Sequence, residues 1–120
     1  MIVQGNRWRK VKDERPQALA EGKLMQITMA GRTLCFVRMN GVLRALADAC
    51  PHQGRSISGG WCDEGHVVCP FHRFHFDPVT GKARHGVCSS IEVFPLEERA
   101  DGLYLGFPYK SLRVFGIKIW

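Results

Sequence analysis

The chain has 120 residues, of which 45% are hydrophobic, and a formal net charge of +6. This length predicts a single domain over residues 1–120 that can bury a core, with no room for a second domain. No apolar run approaches the roughly 18 residues of a membrane span, and the N-terminus lacks the apolar centre of a signal peptide. We therefore expect a cytoplasmic protein without a transmembrane segment. The positive charges are scattered without a Lys/Arg-rich block, which argues against a nucleic-acid-binding protein.

The patterns along the chain are those of β-strands. Residues 25–29 alternate between apolar and polar, Ala30-Gly31 interrupts the pattern, and residues 32–39 resume it with a central apolar run. Asn40-Gly41 then predicts a type I′ hairpin turn into residues 42–47. Asp101-Gly102 is expected to do the same between residues 91–94 and 103–107. No segment combines helical periodicity with caps, so the predicted fold class is all-β.

Two short motifs each carry one thiolate and one imidazole. Cys50-Pro51-His52 is followed, after 16 residues, by Cys69-Pro70-Phe71-His72. The single residue between Cys50 and His52 is tighter than the two to four expected for ligands of one tetrahedral zinc, but it suits a loop that reaches two neighbouring irons. Soft thiolates suit iron bridged by sulfide, and neutral imidazoles add less negative charge than further thiolates would. The motifs therefore predict a metal centre ligated by Cys50, His52, Cys69 and His72.

These motifs and the residues around them resemble the cluster-binding core of Rieske-type ferredoxins and of the Rieske domains of aromatic-ring oxygenases. The similarity runs over residues 50–60 and 69–77 and includes Thr80-Gly81-Lys82. It implies a 2Fe-2S cluster in which two Cys hold one iron and two His hold the other. It also implies an antiparallel β-sandwich with an inserted cluster-binding lobe of two metal loops, at about residues 48–88.

Two departures from the high-potential members of this family indicate a low-potential cluster. Those proteins carry one extra Cys in each loop, and the two extra Cys form a disulfide. Arg55 and Phe71 stand at the corresponding positions here. They also place Ser and Tyr hydroxyls where this chain has Phe74 and Phe76. Since Phe offers no hydrogen-bond donor to sulfur, a reduced cluster would be less stabilised.

A third departure is Arg73, which stands where the oxygenase-type pattern usually has Gly directly after the His. If the backbone needs a positive φ there, Arg is strained. The Arg73 side chain is read as a solvated charge beside the site, with a contact to an anionic partner as the alternative.

The resemblance implies a one-electron carrier that accepts electrons from a reductase and passes them to a terminal oxygenase or related oxidoreductase, without catalysis of its own. A Rieske-like small subunit of a larger oxidoreductase, such as nitrite reductase, is one alternative. A zinc-holding structural or regulatory module is an alternative of a different class. The basic charge favours docking to an acidic redox partner.

Three further Cys and the C-terminal tail lie outside the ligand set. We expect Cys35, Cys62 and Cys88 to be reduced, with Cys35 in the core. The tail, residues 108–120, is apolar and basic and follows the expected final strand. As a helix it would collect its apolar residues on one face and could dock to a partner or a membrane surface. Packing against its own domain or a second copy is the favoured interpretation.

Overall fold

A computed structural model describes residues 2–51, 54–70, 73–84, 90–114 and 117–118, with side chains between residues 5 and 108 of these ranges. These described residues form three antiparallel sheets. The base sheet contains β1 (Ile2–Lys10), β9 (Leu96–Arg99), β10 (Gly102–Val114) and β11 (Ile117–Lys118). The central sheet contains β2 (Leu24–Met29), β3 (Arg32–Met39), β4 (Val42–Ala47) and β8 (Val93–Phe94). The lobe sheet contains β5 (Trp61–Asp63), β6 (His66–Val68) and β7 (His75–Phe76). The all-β prediction is confirmed.

Helical structure within the described ranges amounts to one turn of 3-10 helix, Arg15–Ala18. No helix in that part of the chain is long and apolar enough to cross a membrane.

The central sheet is the middle layer, because its strand β3 is buried on both faces. Leu34 and Phe36 pack with Leu103 and Leu105 of the base sheet. Cys35, Val37 and Met39 face the opposite way and pack with residues of the lobe, including Ile57, Val67 and Phe76. Since successive side chains of a strand point to opposite faces, burial on both faces requires the unbroken apolar run seen at residues 34–37.

Two tight turns connect the first three strands of the central sheet. Asn40 and Gly41 have φ angles of 55° and 76°, and Met39 pairs with Val42 across the turn. Positive φ at both central residues is the signature of the type I′ turn predicted for this dipeptide. Ala30 and Gly31 repeat the conformation between β2 and β3, with φ angles of 51° and 73°.

The prediction of the second hairpin, at Asp101-Gly102, is wrong about its first strand. The strand that turns back through Asp101-Gly102 is β9, where Arg99 pairs with Gly102, and not residues 91–94. Val93 and Phe94 form β8 and pair with β4 of the central sheet. Pro95 separates the two strands, because its ring fixes φ and removes the backbone donor that a continuous ladder would need.

The tail is not helical where the structure describes it. Strand β10 continues through Val114, and residues 108–112 pair with residues 2–6 of β1. This part of the tail therefore lies along its own domain, as favoured, but through backbone pairing. The sequence did not indicate this, because the partner strand lies about a hundred residues away at the start of the chain.

Candidate metal centre

The structure buries both predicted Cys ligands in one apolar cluster. Cys50 is 2% exposed and Cys69 is fully buried, and neither forms a disulfide. They share the cluster with Leu46 of the central sheet and with Phe76 of the lobe. The predicted His ligands, His52 and His72, lie outside the described residues. The Cys half of the predicted ligand set is thus held by the central sheet and the lobe together.

The backbone after each Cys closes with the same hydrogen bond. The Cys50 N–H donates to the carbonyl oxygen of Arg55 at 2.6 Å, and the Cys69 N–H donates to that of Phe74 at 2.9 Å. Each bond spans five residues and encloses the position of the predicted His. The two motifs therefore end in loops of matching form, although their Cys-to-His spacings differ by one residue.

Each loop has a residue in the left-handed region four positions after its Cys. In the first loop this is Gly54, with φ of 69°, and in the second it is Arg73, with φ of 54°. The concern raised by the sequence is confirmed, because the second loop needs a conformation that costs a residue with a Cβ about 1–2 kcal/mol. The Arg73 side chain is exposed, as expected.

The surroundings of the two thiols are apolar. Phe76 is fully buried in the cluster that contains Cys50 and Cys69, and Phe74 packs against that cluster. Ile57 and Ile91 contribute from the two segments that flank the lobe sheet. Neither Phe carries a polar atom on its side chain, so these positions offer no donor to a sulfur ligand.

Asp48, which the sequence analysis missed, organises the first loop. It is a buried carboxylate, 6% exposed, at the end of β4. Its Oδ1 accepts hydrogen bonds from the backbone N–H groups of Ile57 (2.8 Å) and Ser58 (2.7 Å). Its Oδ2 accepts from the hydroxyls of Ser56 (2.9 Å) and Ser58 (2.8 Å) and from the Gln26 amide (2.7 Å).

These bonds keep Asp48 ionised in its buried position. Burial acts to raise the pKa of this carboxyl, but the hydrogen bonds from Gln26, Ser58 and Ser56 outweigh it and hold the pKa below its usual value. The charge thereby ties the central sheet to the residues that follow the first loop. A signal was present in the sequence: an acidic residue directly after an apolar strand, followed by Ser56 and Ser58.

Gly60 brings the end of the first motif against the start of the second. A Cβ at this position would overlap the carbonyl oxygen of Val68, the residue directly before Cys69. Gly59, by contrast, faces open space. Gly60 is therefore required for close backbone approach, whereas Gly59 is an ordinary turn residue.

Two other thiols lie in or beside the core. Cys35 is fully buried and free, and burial, with smaller effects from Asp48 and Cys62, raises the pKa of its thiol. Cys62 is half-buried and free, and burial raises its thiol pKa as well. The prediction of a core Cys35 is confirmed, and the reduced state of Cys62 stays a prediction. Cys88 lies outside the described residues.

Comparison with known proteins agrees with this arrangement. The family model of the Rieske [2Fe-2S] domain matches residues 8–95, which include both Cys-His motifs, the central sheet and the lobe sheet. The chain belongs to the Rieske [2Fe-2S] domain family. The 2Fe-2S cluster implied by the sequence motifs is therefore the cofactor of its family.

Individual known proteins are similar to this one over most of the chain. The ferredoxin component of the naphthalene 1,2-dioxygenase system of Pseudomonas putida is 29% identical over 80 residues, which cover 66% of this chain and 77% of the relative. A chain from the complex of reduced oxygenase and oxidized ferredoxin in carbazole 1,9a-dioxygenase superposes with a TM-score of 0.67 at 26% identity, covering 75% of this chain and 94% of that chain. A nitrite reductase small subunit from Mycobacterium tuberculosis superposes with a TM-score of 0.70 at 19% identity, covering 85% and 96%, and shares the fold.

Replacing Arg73 by Gly should stabilise this Rieske domain, because Gly adopts positive φ without the steric cost of a Cβ. The gain is expected to be about 0.5–1 kcal/mol, since Gly also loses more backbone entropy on folding. This corresponds to a rise of about 2–4 °C in the thermal midpoint followed by circular dichroism. Gly54→Ala is the matched variant in the first loop and should lower the midpoint by a similar amount. A fall in the thermal midpoint of Arg73→Gly would show that positions 54 and 73 are not equivalent.

Replacing Asp48 by Ala should destabilise the domain by about 3 kcal/mol, because it leaves the buried N–H of Ile57 without an acceptor and removes four further bonds to a charged group. The thermal midpoint should fall by about 10 °C. Asp63→Ala removes an exposed carboxylate from β5 of the same lobe and is the control, with an expected change within about 0.5 kcal/mol. Equal effects of the two variants would show that the Asp48 network does not support the loop.

Proposed function

We propose that this chain is a one-electron carrier that holds a Rieske-type 2Fe-2S cluster through Cys50, His52, Cys69 and His72. The observation that carries the proposal is the burial of Cys50 and Cys69, neither of them in a disulfide, in one apolar cluster between loops of matching form. Such thiols suit a sulfide-bridged iron. When bound, the cluster supplies reversible one-electron oxidation and reduction. The Rieske domain over residues 1–120 would then act as a single unit.

The chain's own residues perform three tasks in this proposal. The thiolates of Cys50 and Cys69 would bind iron. The matching loop bonds and the Asp48 network hold the loops in place before the metal arrives, which lowers the cost of reorganisation. The apolar residues around the thiols, among them Phe76 and Ile57, keep water from the sulfur side and offer it no donor. The absence of side-chain donors at Phe74 and Phe76 favours a potential toward the low end of the Rieske range, on the order of −150 mV.

The partners follow from the relatives. The naphthalene dioxygenase relative is named as a ferredoxin component, and the carbazole dioxygenase structure pairs a ferredoxin with an oxygenase. By analogy, this chain would receive electrons from a reductase and deliver them to a terminal oxygenase or related oxidoreductase, with no reaction of its own. Free thiols at Cys35 and Cys62 suit a reducing compartment, so we place this exchange in the cytoplasm.

The two alternatives have weaker support. The nitrite reductase small subunit shares the fold at 19% identity. A fold match at this identity does not support the same partner proteins for this chain. A zinc site would use the same Cys and His, but family membership and the short Cys50-to-His52 spacing favour iron and sulfide over a structural zinc module. Both alternatives are distinguished by the composition of the purified protein.

Protein purified without oxygen should be red-brown and contain two irons and two sulfides per chain, with the low average g of histidine-ligated clusters after reduction. Cys50→Ser should abolish the colour and most of the iron, because the hydroxyl is a poor ligand for a sulfide-bridged iron. Cys62→Ser removes a thiol outside the proposed ligand set and should keep full iron content. A stable, colourless protein containing zinc would overturn the proposal.

Redox titration of the loaded protein should show uptake of one electron per chain at about −150 mV. The reduced chain should support turnover of a terminal oxygenase supplied with reductase and should turn over no substrate alone. A midpoint above about +100 mV would contradict the argument from the missing donors, since Rieske potentials of that size require them. Substrate turnover by the isolated chain would contradict the role as a carrier.

A further inference from the structure

A groove of about 640 Å³ lies away from the metal loops, between the end of β1 and strand β2. One wall consists of residues 9–13 and Arg15, and the other of residues 26–30. Neither Cys50 nor Cys69 lines it. The groove is therefore a feature separate from the candidate metal centre.

One wall of the groove is the open edge of a sheet. Strand β2 ends the central sheet and pairs with β3 alone, and within the described residues the backbone of residues 26–29 makes no hydrogen bond outside that pairing. An edge strand presents a row of N–H and C=O groups that can pair with another extended chain. The groove therefore offers backbone donors and acceptors as well as space.

The opposite wall is cationic. It carries Arg9, Lys10, Lys12 and Arg15 against a single carboxylate, Asp13. Asp13 is already bound by Arg15 at 2.6 Å, and Lys10 lies 3.7 Å from Asp101. In the described part of the chain, no carboxylate pairs with Arg9 or Lys12. Positive charge at the groove is therefore not balanced by the chain itself.

We propose that this groove binds an extended acidic segment of the redox partner, which adds as a further strand to the edge of β2. The inference rests on the proposed carrier function for the identity of the partner. Strand addition supplies affinity through backbone hydrogen bonds, and the side chains beside the edge supply specificity. Arg9 and Lys12 would select acidic side chains. They would also repel the edge of a second copy of this chain, whose net charge is +6.

The groove is connected to the first metal loop through one side chain. Gln26 lines the groove, and its amide donates to Asp48, which in turn holds the backbone of Ile57 and Ser58. A segment bound along β2 would thus lie two hydrogen bonds away from the loop that follows Cys50. Docking there would anchor the partner on the framework that supports the metal loops.

The test uses the full-length, cluster-loaded chain in its oxidised form and a capped six-residue peptide of alternating Glu and Thr. Binding is followed by amide chemical shifts and by hydrogen exchange. We expect saturable shifts at residues 9–13 and 26–30, with slowed exchange among the amides of residues 26–29. A peptide of alternating Lys and Thr should produce neither effect.

Two matched variants locate the binding. Lys12→Glu reverses a charge in the groove and should weaken binding about fivefold, the upper range for an exposed ion pair. Lys23→Glu makes the same change in net charge at the other end of β2, outside the groove, and should weaken binding less than twofold. Equal weakening by both variants would overturn the proposal, because the effect would then be that of net charge.

Binding without slowed exchange at residues 26–29 would also overturn it, since the groove would then be a general anion site. Displacement of the peptide by inorganic tripolyphosphate at equal concentration would likewise show a general anion site and overturn the proposal. Iron content and midpoint potential of Lys12→Glu should match those of the unmodified chain. If the unmodified chain holds its cluster but does not bind the peptide, the groove proposal fails alone, whereas a missing cluster is a failure of the carrier function.

Discussion

The buried carboxylate of Asp48 is the interaction on which the rest of the site depends. A charge at this depth is stable only when its hydrogen-bonding capacity is filled, and five donors from β2 and from residues 56–58 fill it. The donors are consequently fixed in position by the cost of leaving the charge unpaired. The hydrogen bonds of Asp48 thus fix the backbone that follows the first loop to the central sheet without any contribution from a metal.

The second loop is fixed by different means. It has no counterpart of Asp48 among the described residues, and it repeats the first loop's closing hydrogen bond with Arg73 in a left-handed conformation. Strain of this kind persists only where the surroundings determine the backbone. The backbone here is fixed by packing, because three residues around the loop are fully buried: Val67, Cys69 and Phe76.

The sequence predicted what depends on neighbouring residues. The hairpin at Asn40-Gly41 follows from the two residues that adopt positive φ, and burial on both faces of β3 follows from its apolar run. The sequence did not predict pairings set by distant parts of the chain. The division between β8 and β9 at Pro95 depends on which sheet each short strand joins, and the path of the tail depends on β1. The Asp48 network is an exception, because most of its donors lie nearby at residues 56–58 and only Gln26 lies 22 residues away.

The two loops are also coupled to each other, which bears on electron transfer. Gly60 lets the segment after the first loop contact the carbonyl of Val68, directly before Cys69, and both Cys share one buried cluster. A displacement of either loop would therefore disturb backbone that holds the other. Sites held by rigid elements and a filled outer layer of hydrogen bonds keep their geometry when the charge at the centre changes. The packing that buries Cys50 and Cys69 is thus the same packing that would let the chain gain and lose an electron without rearranging its loops.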